Sequence, residues 1–134
     1  MPVTFEFQEN DRIMLWTFAD PWTVPDLMSF YKQAEVVLNN APHTIHSLID
    51  FRQARQIPAG ALKTRQTNTW DHPRSGQTIV VGAAPVLKKT LEVVFRIVRF
   101  DRLKFFDNEA EARAYLRDLI AQETEAQAES KIAD

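Results

Sequence analysis

The stretch QTIVVGAA, residues 77–84, sets Ile79, Val80 and Val81 in an unbroken β-branched run. A strand with one wet face would place a polar residue at every second position. A continuous apolar run is the pattern of a central strand covered on both sides. Helices must then lie on each face of the sheet, which makes the chain α/β. Directly after it, Pro85 suits a first helical turn, and PVLKKTLEVVFRIVRF (85–100) places Leu87, Leu91, Val94 and Val98 in one stripe, predicting a helix.

Upstream, HTIHSLIDF (43–51) reads as another strand, its mixed pattern consistent with partial cover on both faces. Between these two strands, Ala61, Leu62, Arg65 and Gln66 have helical spacing, so a short helix is expected over 59–70. Before them, TVPDLMSFYKQAEVVLNNA predicts a first helix, with Leu27, Tyr31, Ala34, Leu38 and Ala41 in register, Thr23 and Asp26 as its cap, and Asn39, Asn40 and Pro42 stopping it. VTFEFQEN alternates Val3, Phe5 and Phe7 with polar residues, and RIMLWTFA follows across Glu9, Asn10 and Asp11, which predicts a hairpin. At the other end, Leu103–Phe106 reads as a short last strand. Asn108 and Glu111 then have capping-box spacing ahead of Ala112, Tyr115, Leu116 and Leu119. The expected architecture is a mixed, mostly parallel sheet with an N-terminal hairpin and about four helices, a single domain over 1–121 followed by a polar tail, 122–134, that frays.

Composition bounds the chemistry. The 134 residues, 45% apolar and 25% charged, suit one ordinary folded domain. With no cysteine, disulfides, thiolate catalysis and cysteine-zinc sites are excluded. The first ten residues lack a basic start followed by an apolar run, and no apolar stretch nears the roughly 18 residues of a membrane span, so a cytoplasmic protein without a span is expected. Net charge is -2, unevenly spread. Residues 1–50 hold two cations against seven carboxylates, 51–104 eleven against three, and 105–134 three against eight. The basic middle suits either an anionic partner or neutralisation by acidic termini packed beside it.

Each candidate site has a plainer structural reading. His43 and His46, three apart in a strand, would point to opposite faces and so do not converge on a metal. The loop NTWDHPRSGQ (68–77) gathers Trp70, Asp71, His72, Arg74 and Ser75, the ingredients of a hydrolase or transferase. A nucleophile, base and acid must meet within hydrogen-bond reach, however, and Pro73 and Gly76 equally mark an ordered turn. Lys88, Lys89, Arg96 and Arg99 fall at helical spacings on a basic flank. Nucleic-acid binding would require aromatics on that same surface, whereas Phe95 and Phe100 read as core or interface, which argues against it. Only three glycines are present, in no phosphate-loop pattern, so no nucleotide cofactor is expected. Arg52, Arg55 and Lys63 near the start of the expected 59–70 helix could hold an anion, or serve as surface charges.

The order of elements, LIDFRQARQIPAGAL (48–62) running from strand through loop toward a helix, and the ending KFFDNEAEARAYLRDL (104–119) resemble the STAS domain of anti-sigma-factor antagonists and the related SpoIIAA-like proteins over roughly residues 3–120. The resemblance implies a regulatory, non-enzymatic protein-binding domain. In that family the strand ends on an aspartate, matched here by Asp50, and Asp-Ser-Ser-Gly opens the helix with a phosphorylated serine. Here Pro58, Ala59, Gly60 and Ala61 take those places, so Gly60 stands where the phosphoacceptor would be, and Thr64 is the nearest hydroxyl. Binding of a protein partner, or self-association, without serine phosphorylation is the expectation. The alternative is a domain holding a small apolar or anionic ligand between sheet and helices, lined by Trp16, Phe18, Trp22, Phe30, Tyr31 and Trp70. The expected partner- or ligand-binding residues are Asp50, Arg52, Arg55, Gly60, Lys63, Trp70, His72 and Arg74, with no catalytic residue, metal or cofactor.

Overall fold

A computed structural model describes residues 3–58, 72–97 and 102–133. The elements run β1 Val3–Gln8, β2 Ile13–Ala19, α1 Val24–Asn40, β3 Ile45–Gln53, β4 Ser75–Val81, α2 Pro85–Ile97, β5 Leu103–Phe106 and α3 Glu109–Ala133. The strands form one five-stranded sheet in the order β1-β2-β3-β4-β5. The β1–β2 pair is antiparallel, and every later pair is parallel. The hairpin turn is made by Glu9, Asn10 and Asp11, all left-handed at φ 54, 58 and 61. Asn and Asp tolerate that region, and the Arg12 amide closes the turn on the Gln8 carbonyl at 3.2 Å.

The strand order explains the layers. Each parallel strand is added beside the last in the same direction, so right-handed crossovers deposit their helices on one face. Accordingly α1 and α2 share a core with Trp16, Ile49 and Val80. Coming after the last strand, α3 is under no crossover constraint and covers the opposite face through Ala112 and Leu116. Register aligns the two rows. Trp16, Ile49, Val80 and Phe105 face α1 and α2, while Leu15, Leu48 and Ile79 face α3. The 79–81 run is therefore buried throughout, as its composition requires. Between sheet and α1, the ring contacts Phe5–Trp16, Trp16–Tyr31, Phe18–Trp22 and Phe18–Phe51 fill the core.

Thr23 and Asp26 form the capping box of α1, and Asn108 accepts from the Glu111 amide at 2.9 Å at the start of α3. Three helices are present among the described residues. The short helix expected over 59–70 lies outside them, as do Gly60, Lys63 and Trp70. Within the segment expected as a polar tail, residues 122–133 continue α3 to Ala133. The reason is tertiary. Ala112, Leu116, Ile120, Glu123 and Gln127 follow one another at spacings of three or four, so the stripe that is apolar over the sheet becomes polar where the helix passes its edge. There Glu123 meets His46 at 2.8 Å, and Gln127 donates to the Pro42 carbonyl at 3.2 Å. No helix among the described residues is long and apolar enough to cross a membrane.

Candidate functional site

The expected binding residues divide between the two ends of the sheet. Asp50, Arg52 and Arg55 lie at the carboxyl ends of the parallel strands, whereas His72 and Arg74 precede β4 at their amino ends. Asp50 stands opposite Val81, so a seven-residue strand, roughly 20 Å, separates the two groups.

At the carboxyl end, Asp50 is 8% exposed and receives three hydrogen bonds from Arg52: the backbone amide at 2.9 Å, Nε at 3.0 Å and Nη2 at 2.7 Å. This fork-to-carboxylate geometry is the strongest form of the pair. Burial is the largest single influence on Asp50 and pushes its pKa up. The side-chain hydrogen bonds, the amide and the positive charge of Arg52 together outweigh it and hold the carboxyl below its ordinary value. Reciprocally, the hydrogen bonds and charge of Asp50, with a smaller effect of Glu109, push Arg52 up. Nη2 of Arg52 reaches Glu109 at 3.1 Å, which ties the end of β3 to the first turn of α3. Gly82, at φ 71, lies against this arginine, and a Cβ there would run into the Arg52 side chain. Asp50, expected at the strand end, lies within β3 three residues before its end and is already occupied by an internal cation. Arg55 is fixed through its backbone, which donates to Asp20 at 2.8 Å.

At the amino end, both ring nitrogens of His72 are engaged, Nε2 with Asn39 Oδ1 at 2.6 Å and Nδ1 by accepting from the Arg74 amide at 3.0 Å. Ser75 is buried in β4, its hydroxyl without a hydrogen-bond partner among the described residues. His72 and Ser75 thus form no nucleophile-base pair, and Asp71 lies outside the described residues. Beside them is an arrangement that sequence reasoning passed over. His46, 2% exposed, accepts the Gln77 amide on Nδ1 at 2.9 Å and therefore presents its Nε2 proton to Glu123 at 2.8 Å. His43 precedes β3, so strand alternation does not govern it, and it lines a cavity together with Arg12, Arg74 and Glu123. A histidine near the start of a strand read as partly covered on both faces was the available signal for His46. Glu123, 77 positions away, had none. Among the described residues no three histidine or acidic side chains are grouped to hold a metal ion.

The third feature is the outer face of α2. Leu87 and Leu91 are buried against the sheet, while Val86 is 80% exposed and Val93 38%. Positions 86, 89, 93 and 96 fall on one stripe, so the two valines alternate with Lys89 and Arg96 around an open depression of about 540 Å³ lined by Pro85, Val86, Lys89, Thr90 and Val93. Lys88 turns away, its ammonium 5.5 Å from the Phe105 ring.

No protein-family model and no curated protein matches the chain.

Proposed function

We propose that the chain is a non-enzymatic, STAS-like interaction domain of the cytoplasm that docks an acidic protein segment along the outer face of α2. The observation that carries this reading is the alternation of exposed valines with cations on one helical stripe. Val86 and Val93 supply apolar area whose burial is favourable, and Lys89 and Arg96 select a partner carrying carboxylates. Solvated helix faces do not need two exposed β-branched residues in register. The STAS-like reading rests on the order of elements and on Asp50 toward the end of β3. Because Pro58, Ala59, Gly60 and Ala61 replace the phosphoacceptor motif, and Arg52 already holds Asp50, docking is constitutive and independent of serine phosphorylation.

A photo-crosslinking side chain at position 86 or 93, placed in the producing cells, tests it. The expected result is one discrete adduct with a protein whose crosslinked segment is rich in Asp and Glu. That adduct disappears in Lys89→Glu/Arg96→Glu chains that retain the native circular dichroism spectrum. An adduct of two copies of this chain, an adduct indifferent to charge reversal, or no adduct would each overturn the proposal.

A further inference from the structure

We infer that the amino-terminal edge of the sheet carries a binding site for a small organic anion that also bears a hydroxyl or ammonium group. It is independent of the α2 face. The cavity there has a volume of about 380 Å³ and is lined by Arg12, His43, Thr44, Arg74, Glu123 and Gln127 among others, a size suited to a small metabolite.

Two guanidinium groups border it without a carboxylate partner among the described residues. Among the described residues Arg12 reaches only the neutral amide of Gln127, at 3.4 Å, and no hydrogen bond or ion pair engages the Arg74 guanidinium. Elsewhere in the fold the fork of Arg52 or Arg117 closes on a carboxylate. An arginine fork facing a cavity is suited to a planar carboxylate or to a phosphoryl group. Both arginines are set by backbone rather than by their own flexible stems. The Arg12 carbonyl accepts from His46 at 2.9 Å, and the Arg74 carbonyl accepts from Ile45 at 2.8 Å, which fixes each Cα at the mouth of a strand.

Glu123 supplies the second half of the recognition. Its Oε1 is pinned by the buried His46, whose tautomer is set by the Gln77 amide, so the carboxylate is held in place and faces the cavity as an acceptor. Its other oxygen has no partner among the described residues. One anchored carboxylate beside two guanidinium groups leaves the wall cationic and adds an acceptor for a hydroxyl or ammonium proton on the same ligand. A bare anion would leave that acceptor unused.

Titration calorimetry and thermal unfolding of the full chain with inorganic phosphate, glycerol 3-phosphate and malate test the assignment. Malate and glycerol 3-phosphate distinguish a carboxylate from a phosphoryl head, and saturable binding of either supports it. Arg12→Gln and Arg74→Gln should each weaken that probe about tenfold. Glu123→Gln should weaken malate and glycerol 3-phosphate relative to inorganic phosphate, which makes no contact with that acceptor and gains from the loss of a negative charge. Lys89→Gln, on α2, should change neither. Absence of saturable binding up to about 10 mM, binding that survives the double arginine substitution, or equal loss with Lys89→Gln would overturn the site. An equal change of the hydroxyl-bearing probes and inorganic phosphate on Glu123→Gln would overturn the second half of the recognition.

Discussion

A methyl group on Gly76 would fall inside the His46 imidazole and 2.7 Å from Thr44 Cγ2. That ring cannot yield, because the Gln77 amide holds one nitrogen and Glu123 the other. Gly76→Ala should therefore destabilise the fold by about 2 kcal/mol, the cost of forcing volume into a filled site, measurable by urea unfolding. Asp50 and Arg52 make a different case. Removing the arginine side chain leaves a largely buried carboxylate short of two donors, with only the backbone amide of residue 52 remaining, but Arg52 itself is 50% exposed, so water recovers part of the loss. Arg52→Ala is expected to cost about 1–2 kcal/mol. Because the Asp50 pKa is lowered in the folded state, the unfolded chain binds the extra proton first as the solution is acidified. The stabilisation is full above the ordinary carboxylate value, about pH 4, and is lost as pH falls through the lower folded value. The stability difference between the native chain and Asp50→Asn should thus be largest near neutrality and shrink below about pH 4. A difference that stayed constant into acid would show that the pair is not its source.

Helix α3 joins the sheet by two unlike means along its length. Leu116, fully buried among Ile13, Leu48, Ile79 and Val81, carries the apolar part. Leu116→Ala should cost about 3 kcal/mol through lost burial and the cavity left behind, with the urea midpoint as the readout. Farther along, Glu123 and Gln127 replace apolar contact with hydrogen bonds to the amino edge. Helix α2 shows the opposite asymmetry, with one stripe buried and a second stripe of valines left outside. Since Val86 is 80% exposed, Val86→Ser should change stability by no more than about 0.5 kcal/mol while removing the proposed docking contact. Equilibrium unfolding and crosslinking yield, measured on the same variant, separate the two effects.

Taken as a whole, the molecule keeps its two proposed surfaces apart, one on the outer face of α2 and one where strands β2, β3 and β4 begin. Exposed charges on α2 are screened within about 8 Å at physiological ionic strength. Added salt should therefore slow capture of the proposed acidic partner, seen as a lower association rate, with little change in the folded state. Periodicity and turn chemistry were enough to read the hairpin, the capped α1, the doubly covered β4, the short β5 and the start of α3. Each of those depends on residues within a few positions of one another. The candidate site residues were legible only in part. Asp50 and Arg52 are two apart and do meet. His72 and Ser75, close neighbours in sequence, do not pair, because β4 carries the serine into the core while the Arg74 amide and Asn39 hold the imidazole outside. Local pattern located the five strands, α1, α2 and the start of α3, since the free energy of burying a side chain follows the repeat of the backbone, but it did not carry α3 past Ala121. The meeting of His46 with Glu123, the exposure of Arg12 and Arg74 to one cavity, and the separation of Arg74 from Asp50 came from the order of strands and the return of α3 beneath them. Such contacts join positions tens of residues apart, and their geometry is set by packing that leaves no trace in local spacing.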